Sequence, residues 1–299
     1  MKNQRPAVEI IHVSDTRRDC LRHAFVLEAL GIAYEVHGEA GRFALVVAAL
    51  DADGAREELA AYARETHAHR PRAAMPPLRG IGLTGAIGYA VVLLLVAALE
   101  NLDAFDVDWL AAGKTHAGLM RQGQWWRSVT ALSLHSDLVH LASNIVFGGL
   151  IGLFAGQLLG SGLAWVSILI AGATGNMFLA TFRPAGYTSV GASTAVFAAL
   201  GLVAAYVWAR RKHDQTPKLK RWAPLVGAIV LLAYLGTGGE RVDVGAHVSG
   251  FACGMLLGAL YGKLGDRLAL GAIHQSLLGL TAVAMLAGTW ALALARHAP

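Results

Sequence analysis

Residues 80–99 read Gly80-Ile81-Gly82-Leu83-Thr84-Gly85-Ala86-Ile87-Gly88-Tyr89-Ala90-Val91-Val92-Leu93-Leu94-Leu95-Val96-Ala97-Ala98-Leu99, twenty positions without a charged side chain. A helix needs roughly 20 apolar residues to cross the hydrocarbon core of a bilayer, so this stretch predicts a membrane span. Similar runs follow at about 129–159, 162–182, 190–209, 222–239, 244–262 and 268–295, which makes seven. The fifth is the shortest. Composition agrees: of 299 residues, 55% are hydrophobic and 15% charged, whereas a soluble domain carries about 25% charged residues. The expected class is an all-α polytopic membrane protein.

The charge pattern orients it. Arg210, Arg211, Lys212, Lys218, Lys220 and Arg221 lie between the fourth and fifth runs, Lys263 and Arg267 between the sixth and seventh, and Arg70, Arg72 and Arg79 before the first. By the positive-inside rule these links face the cytoplasm. The long connection after the first run carries Glu100, Asp103, Asp106 and Asp108 and is expected outside. The amino terminus then lies inside and the carboxyl terminus outside. The net charge of +5 is a topology signal, and the expected partner is the lipid bilayer, with no nucleic acid. Cys20 and Cys253 occur in different contexts, so no disulfide is expected. No apolar core with a cleavage site opens the chain, so no signal peptide is expected.

Residues 1–66 read as a small cytoplasmic α+β domain. Val8–Val13 alternates like a strand. Arg17–Leu30 has helical spacing at Leu21, Ala24, Phe25, Val26 and Leu27, with Gly31 as a stop. Tyr34–His37 and Arg42–Ala48 form a hairpin about Ala40-Gly41, and Asp51 or Asp53 caps a last helix through Thr66. The order is β-α-β-β-α. Residues 67–79 are a basic, proline-containing linker, 80–265 a six-helix core, and 266–299 a seventh helix and tail.

Three polar clusters interrupt the apolar runs: His135-Ser136-Asp137-Leu138-Val139-His140-Leu141-Ala142-Ser143-Asn144, Gly191-Ala192-Ser193-Thr194, and Ala246-His247-Val248-Ser249-Gly250. Polar groups at membrane depth are costly, so they point to function. Runs two, four and six share one direction. At 1.5 Å per residue Ser193 and His247 each lie roughly 5 Å below the outer end of their helices, with His140 and Asn144 somewhat deeper. A serine hydroxyl needs a base, and neutral histidine serves near pH 7. Acyl transfer also needs donors aimed at the developing oxyanion. His140 and Asn144, spaced i and i+4, share a helix face and supply two; the Ser193 backbone N–H supplies a third. Gly191 permits close approach at the nucleophile. Gly250, Gly254 and Gly258 form a smooth stripe that lets helix backbones meet, and Phe197 can pack on the imidazole. Together these point to a serine hydrolase working within the membrane, without a cofactor.

Each piece alone has an ordinary explanation. A serine in a membrane helix usually bonds back to a carbonyl, a histidine makes an interhelical hydrogen bond, and small-residue stripes pack. Ser136, Ser143, Ser167, Ser249 and His274 read as structural; His12, His23, His67, His69 and His213 read as solvated. A metal site is not expected: His135 and His140 project about 140° apart around a helix, and no His-Glu-x-x-His occurs. Asp266 has no intramembrane aspartate partner.

At these residues the chain resembles the rhomboid family of intramembrane serine proteases, over about residues 80–265. Trp126-Arg127 is similar to the family's Trp-Arg signature, and His135, His140 and Asn144 to its His-x4-His-x3-Asn pattern. Gly191-Ala192-Ser193 resembles the nucleophile motif, and Ala246-His247 with Gly250 and Gly254 the base motif. The resemblance implies a Ser193–His247 dyad without a catalytic aspartate and an oxyanion site from the His140 and Asn144 side chains and the Ser193 backbone. It further implies a structural role for His135 in tying the second helix to the outer loop, and single-pass transmembrane protein substrates cut near the outer face. Thr194 stands where the family usually has glycine, and Gln157 where it often has glutamate. The first domain is similar to the cytoplasmic domain of some bacterial rhomboids, and the seventh helix to the six-plus-one variant, implying a bacterial inner-membrane location and an extra helix remote from the dyad. Two rivals stay open: an inactive rhomboid-like protein that binds membrane clients, and a small-molecule transporter, which would favour inverted repeats. Substrate entry is expected between helices, with the fifth span and the cap loop at about Gly236–Val244 moving.

Overall fold

A computed structural model of the chain describes residues 7–39, 41–68, 78–213, 217–236 and 243–297. The chain divides into two compact units, Met1–Arg72 and Ala73–Pro299. Residues 69–77 of the predicted 67–79 linker, Ala40 of the predicted hairpin, and residues 237–242 of the predicted cap loop lie outside the described residues.

The first unit has the predicted β-α-β-β-α order: β1 (Val8–Ser14), α1 (Arg17–Ala29), β2 (Tyr34–Glu39), β3 (Arg42–Ala48) and α2 (Ala52–Ala68). The sheet is antiparallel in order β1-β3-β2. Thr16 caps α1 by accepting from the Asp19 N–H, as a hydroxyl preceding a helix does. Gly31 follows the helix at φ +73°, a conformation that suits glycine. The buried face of α1 is Cys20, Ala24 and Leu27 against Leu45, Val47 and Leu59. Leu21 and Phe25, expected on that face, are exposed, because the sheet meets the helix one position earlier. His12 and His23 are not solvated as expected. They are partly buried, stack with ring centroids 3.8 Å apart, and flank Asp19, which His12 meets at 3.2 Å.

The second unit contains α3 (Leu83–Asn101), α4 (Trp109–Gly113), β4 (Thr115–His116), α5 (Ala117–Arg121), α6 (Arg127–Thr130), α7 (Leu138–Leu159), α8 (Ser161–Phe182), β5 (Thr188–Ser189), α9 (Ser193–His213), α10 (Lys218–Gly236), α11 (Val244–Leu264) and α12 (Ala272–Ala295). Seven of these, α3 and α7 to α12, are long and apolar enough to span a membrane. The chain is an all-α polytopic membrane protein with a small strand-containing amino-terminal region.

The second span begins at Leu138 rather than near Val129. Past α6 the backbone tightens into a 3-10 turn at Ala131–Ser133. Leu134 is extended, and Asp137 is extended and caps α7 by accepting from the His140 N–H at 2.8 Å. The apolar residues Val129, Ala131, Leu132 and Leu134 are buried in protein, which is why an apolar run overstated the helix.

Helix α9 is the centre of the bundle. The stripe on α11 packs along it: a Cβ at Gly250, Gly254 or Gly258 would collide with the carbonyl oxygen of Thr194, Ala198 or Leu202 respectively. Thr194, which departs from the family pattern, is buried, and its methyl faces Gly250. Gln157 reaches the Ile81 carbonyl before α3, Nε2 donating at 3.4 Å, and its own carbonyl accepts from the Arg79 N–H at 2.7 Å.

The connection from 102 to 137 is ordered by buried polar groups. The Arg127 guanidinium donates to the Ala111 and Lys114 carbonyls at 2.9 Å each and to Gln124 Oε1 at 2.7 Å. Burial pushes its pKa down, yet arginine stays charged, and the carbonyls answer that charge. Trp126 packs beside Trp109, Leu134 and Trp290. The Asn176 amide donates to the Ser128 carbonyl at 3.0 Å, tying the connection to α8. Helix α12 lies against α8: the Gln275 side chain accepts from the Leu163 N–H and donates to the Leu159 carbonyl, both at 2.9 Å. Trp290 donates to Ser133 Oγ at 2.9 Å, so the seventh span buttresses the turn before His135.

Candidate active site

Ser193 opens α9 and His247 is the fourth residue of α11. Because the glycine stripe brings the two backbones into contact, Ser193 Oγ lies 2.9 Å from His247 Nε2. The His247 ring is buried and packs on Phe197, with centroids 4.4 Å apart. Its Nδ1 lies 3.0 Å from the Gly236 carbonyl oxygen at the end of α10. The nearby Asp243 carboxylate is engaged elsewhere: it caps α11 by accepting from the Ala246 N–H at 3.1 Å, accepts from the Tyr187 hydroxyl, and faces Arg183 at 3.7 Å. Burial and that hydrogen bond push the Tyr187 phenol up, so it remains a donor.

The turn before Ser193 has one permissible residue. Gly191 sits at φ +129°, and a Cβ there would lie 2.6 Å from His140 Cε1 and 2.8 Å from its Nε2. The glycine therefore lets the His140 ring rest against the turn that leads into Ser193. His140 Nδ1 is 3.2 Å from Ser136 Oγ, a contact that the structural reading of Ser136 did not anticipate. His135 is buried, meets His140 edge to face at 5.2 Å between centroids, and accepts from the Ala192 N–H at 3.5 Å. It thus joins the segment before α7 to the turn that leads into Ser193, whereas the sequence reading joined the second helix to the outer loop through it.

Asn144, one turn past His140, is 5% exposed, and its Nδ2 has no hydrogen-bond partner among the described residues. A buried amide without a partner is costly and calls for an explanation. It lines a cavity of about 1220 Å³ shared with Ser193, His247, His140 and Phe197. The structure therefore collects Ser193, His247, His140, Asn144, Gly191 and Phe197 at one place. Trp126 and Arg127 hold the neighbouring connection, and Gly250 and Gly254 the α9–α11 contact. The sequence reading missed the Gly236 carbonyl, because a main-chain acceptor leaves no trace in residue types.

One other group among the described residues has the composition of a metal site, His12, Asp19 and His23 in the first unit. The stacked rings present their nitrogens side by side, and His23 Nδ1 is taken up by the Asp19 carbonyl at 2.9 Å.

Fold and site define a class: a polytopic membrane protein with a serine–histidine contact at the start of two helices. Residues 122–264 match the Rhomboid domain. The chain is similar to Rhomboid-like protease 1 of Toxoplasma gondii, 30% identical over 190 residues, which cover 61% of this chain and 62% of that protein. It is 30% identical over 180 residues to Rhomboid protease GluP of Bacillus subtilis, covering 58% and 34%. Rhomboid-like protease 3 of Toxoplasma gondii is 32% identical over 155 residues, covering 50% and 57%. The matches thus span from 34% to 62% of the length of these relatives.

Proposed function

We propose that the chain is an intramembrane serine endopeptidase that cleaves single-pass transmembrane proteins near the outer membrane face through a Ser193–His247 dyad. The observation that carries this reading is the 2.9 Å Ser193–His247 contact in a cavity lined by a buried, unpartnered Asn144 amide. Ser193 Oγ attacks the scissile carbonyl carbon as its proton passes to His247 Nε2. The oxygen of the tetrahedral intermediate takes hydrogen bonds from Asn144 Nδ2, His140 Nε2 and the Ser193 N–H, which at the first residue of a helix has no intrahelical acceptor. His140 donates in the form that carries a hydrogen on Nε2; Ser136 Oγ lies 3.2 Å from its Nδ1 and gives its own hydrogen to Asp137 Oδ2 at 3.0 Å. His247 then protonates the leaving amine, releasing one product and an acyl-enzyme. Water, deprotonated by His247, attacks the ester, and Ser193 recovers its proton.

Orientation supports outer-face cleavage. Ser193 and His247 begin their helices, whereas Arg210, Arg211 and Lys263 lie toward the opposite ends; the positive-inside rule assigns those ends to the cytoplasm. The location proposed is the bacterial inner membrane, with the amino terminus cytoplasmic and the carboxyl terminus outside. An inactive client-binding protein or a transporter would have no use for a serine paired with a histidine base beside an unpartnered amide.

A fluorophosphonate probe tests the assignment on purified protein. Peptide mapping is expected to find label on Ser193 and on no other serine, and His247→Ala is expected to abolish it. Label elsewhere, or labelling that survives His247→Ala unchanged, would refute the dyad.

A further inference from the structure

We infer that the main-chain carbonyl of Gly236, the last residue of α10, is the positioning group for the base, so that the fifth span must be seated for His247 to accept a proton. This inference rests on the dyad proposed above. For Nε2 to take the Ser193 proton, the neutral ring must carry its hydrogen on Nδ1. That N–H is buried, and its acceptor is the Gly236 oxygen at 3.0 Å. The neighbouring carboxylate is committed to Tyr187, Arg183 and the start of α11. A backbone carbonyl on a different helix therefore occupies the place that a carboxylate holds in a serine–histidine–aspartate arrangement.

At its start the supporting helix is tied to α9 by Arg211, which donates to the Lys220 carbonyl at 2.7 Å, and by Arg221 over the Trp208 ring; farther along, toward the base, its side-chain contacts are apolar. Leu225, Ala228, Leu232 and Leu235 pack on Phe197, Leu200 and Ala204 of α9, while Val226, Ile229, Val230 and Tyr234 are exposed. Movement of α10 away from α9 would withdraw the acceptor, leaving Nδ1–H unpaired and the ring free to adopt the other tautomer or turn. Gly236 is also a tight position: a Cβ would lie 3.3 Å from Phe197 and 3.4 Å from His247 Nδ1. The side chain is absent where the carbonyl approaches the base.

The experiment has two arms, both on the full chain. Nitrogen-15 NMR of histidine-labelled protein, with the His247 signals assigned by comparison with His247→Ala, is expected to show protonated Nδ1 and bare Nε2. Bare Nδ1 in the unmodified protein would overturn the inference. The second arm compares Gly236→Val with the unmodified chain for fluorophosphonate labelling of Ser193 and for cleavage of a soluble peptide, neither of which needs a substrate helix to pass between spans. Labelling and kcat are expected to fall between about tenfold and a hundredfold, the scale of a misplaced catalytic group, with KM little changed. Labelling as fast as or faster than in the unmodified chain would show that the carbonyl does not position the base. An unmodified chain that takes no label would count against the dyad itself, and the tautomer would still test the inference.

Discussion

Ser193 and His247 are 54 residues apart and meet because each lies at the start of a helix whose partner has no side chain in the way. Their types were legible in the sequence, since polar residues stand out in apolar runs, but Ser193 opens its helix instead of lying roughly 5 Å into it. The contact was expected from the glycine stripe, but the Thr194, Ala198 and Leu202 carbonyls that meet the three glycines were not, because main-chain positions leave no trace in residue types. Likewise His140 and Asn144 were visible as an i, i+4 pair, whereas the unpartnered state of the Asn144 amide emerges only from packing. Removing one oxyanion donor, His140→Ala or Asn144→Ala, is expected to lower the cleavage rate on the order of 10²–10³-fold. Full activity of either purified variant at wild-type expression would remove that residue from the site.

At the scale of elements, the α9–α11 contact is the joint on which the site depends. Gly254 lies seven residues, about two turns, beyond His247 on α11, so Gly254→Leu removes no reacting group. Its side chain would meet the Ala198 carbonyl. Overpacking of this kind costs roughly 1–3 kcal/mol, and the helices can relieve it only by separating. Thermal unfolding is expected at a lower temperature, with loss of cleavage in the protein that remains folded. An unchanged melting temperature with normal cleavage would mean that the contact has slack. The second span shows why element boundaries were less legible than element types. Val129–Leu134 lies in an apolar run that protein buries, and Asp137, which caps α7, is a short signal inside that run. The same segment receives Trp290 from the seventh span, a contact that hydropathy alone does not reveal.

For the whole molecule, the two units invite separate predictions. The first has its own core, and removal of residues 1–72 is expected to leave cleavage in detergent largely intact; complete loss in a folded truncation would give the unit a direct part in the reaction. Within it, burial pushes the Asp19 carboxyl up, but hydrogen bonds with His12 and Ser14 and the charges of His23 and His12 outweigh burial and hold it below its ordinary value. A depressed folded pKa contributes stability above the unfolded value, about 3.9, and that contribution disappears as pH falls through the folded value. Asp19→Asn is therefore expected to lower hydrogen-exchange protection in this unit at pH 7, and the difference should close below about pH 3.9. A difference that stayed constant with pH would assign the effect to lost hydrogen bonds rather than charge.

The central claim is that Ser193 hydrolyses a peptide bond within the membrane. Its most direct test is purified full-length protein reconstituted with a single-pass model substrate, beside Ser193→Ala, His247→Ala and the double variant. The account predicts cleavage by the unmodified chain near the outer face of the substrate. It predicts none by either single variant, and no further loss in the double variant, because the pair acts as a unit. Cleavage by pure Ser193→Ala protein at the unmodified rate would contradict it.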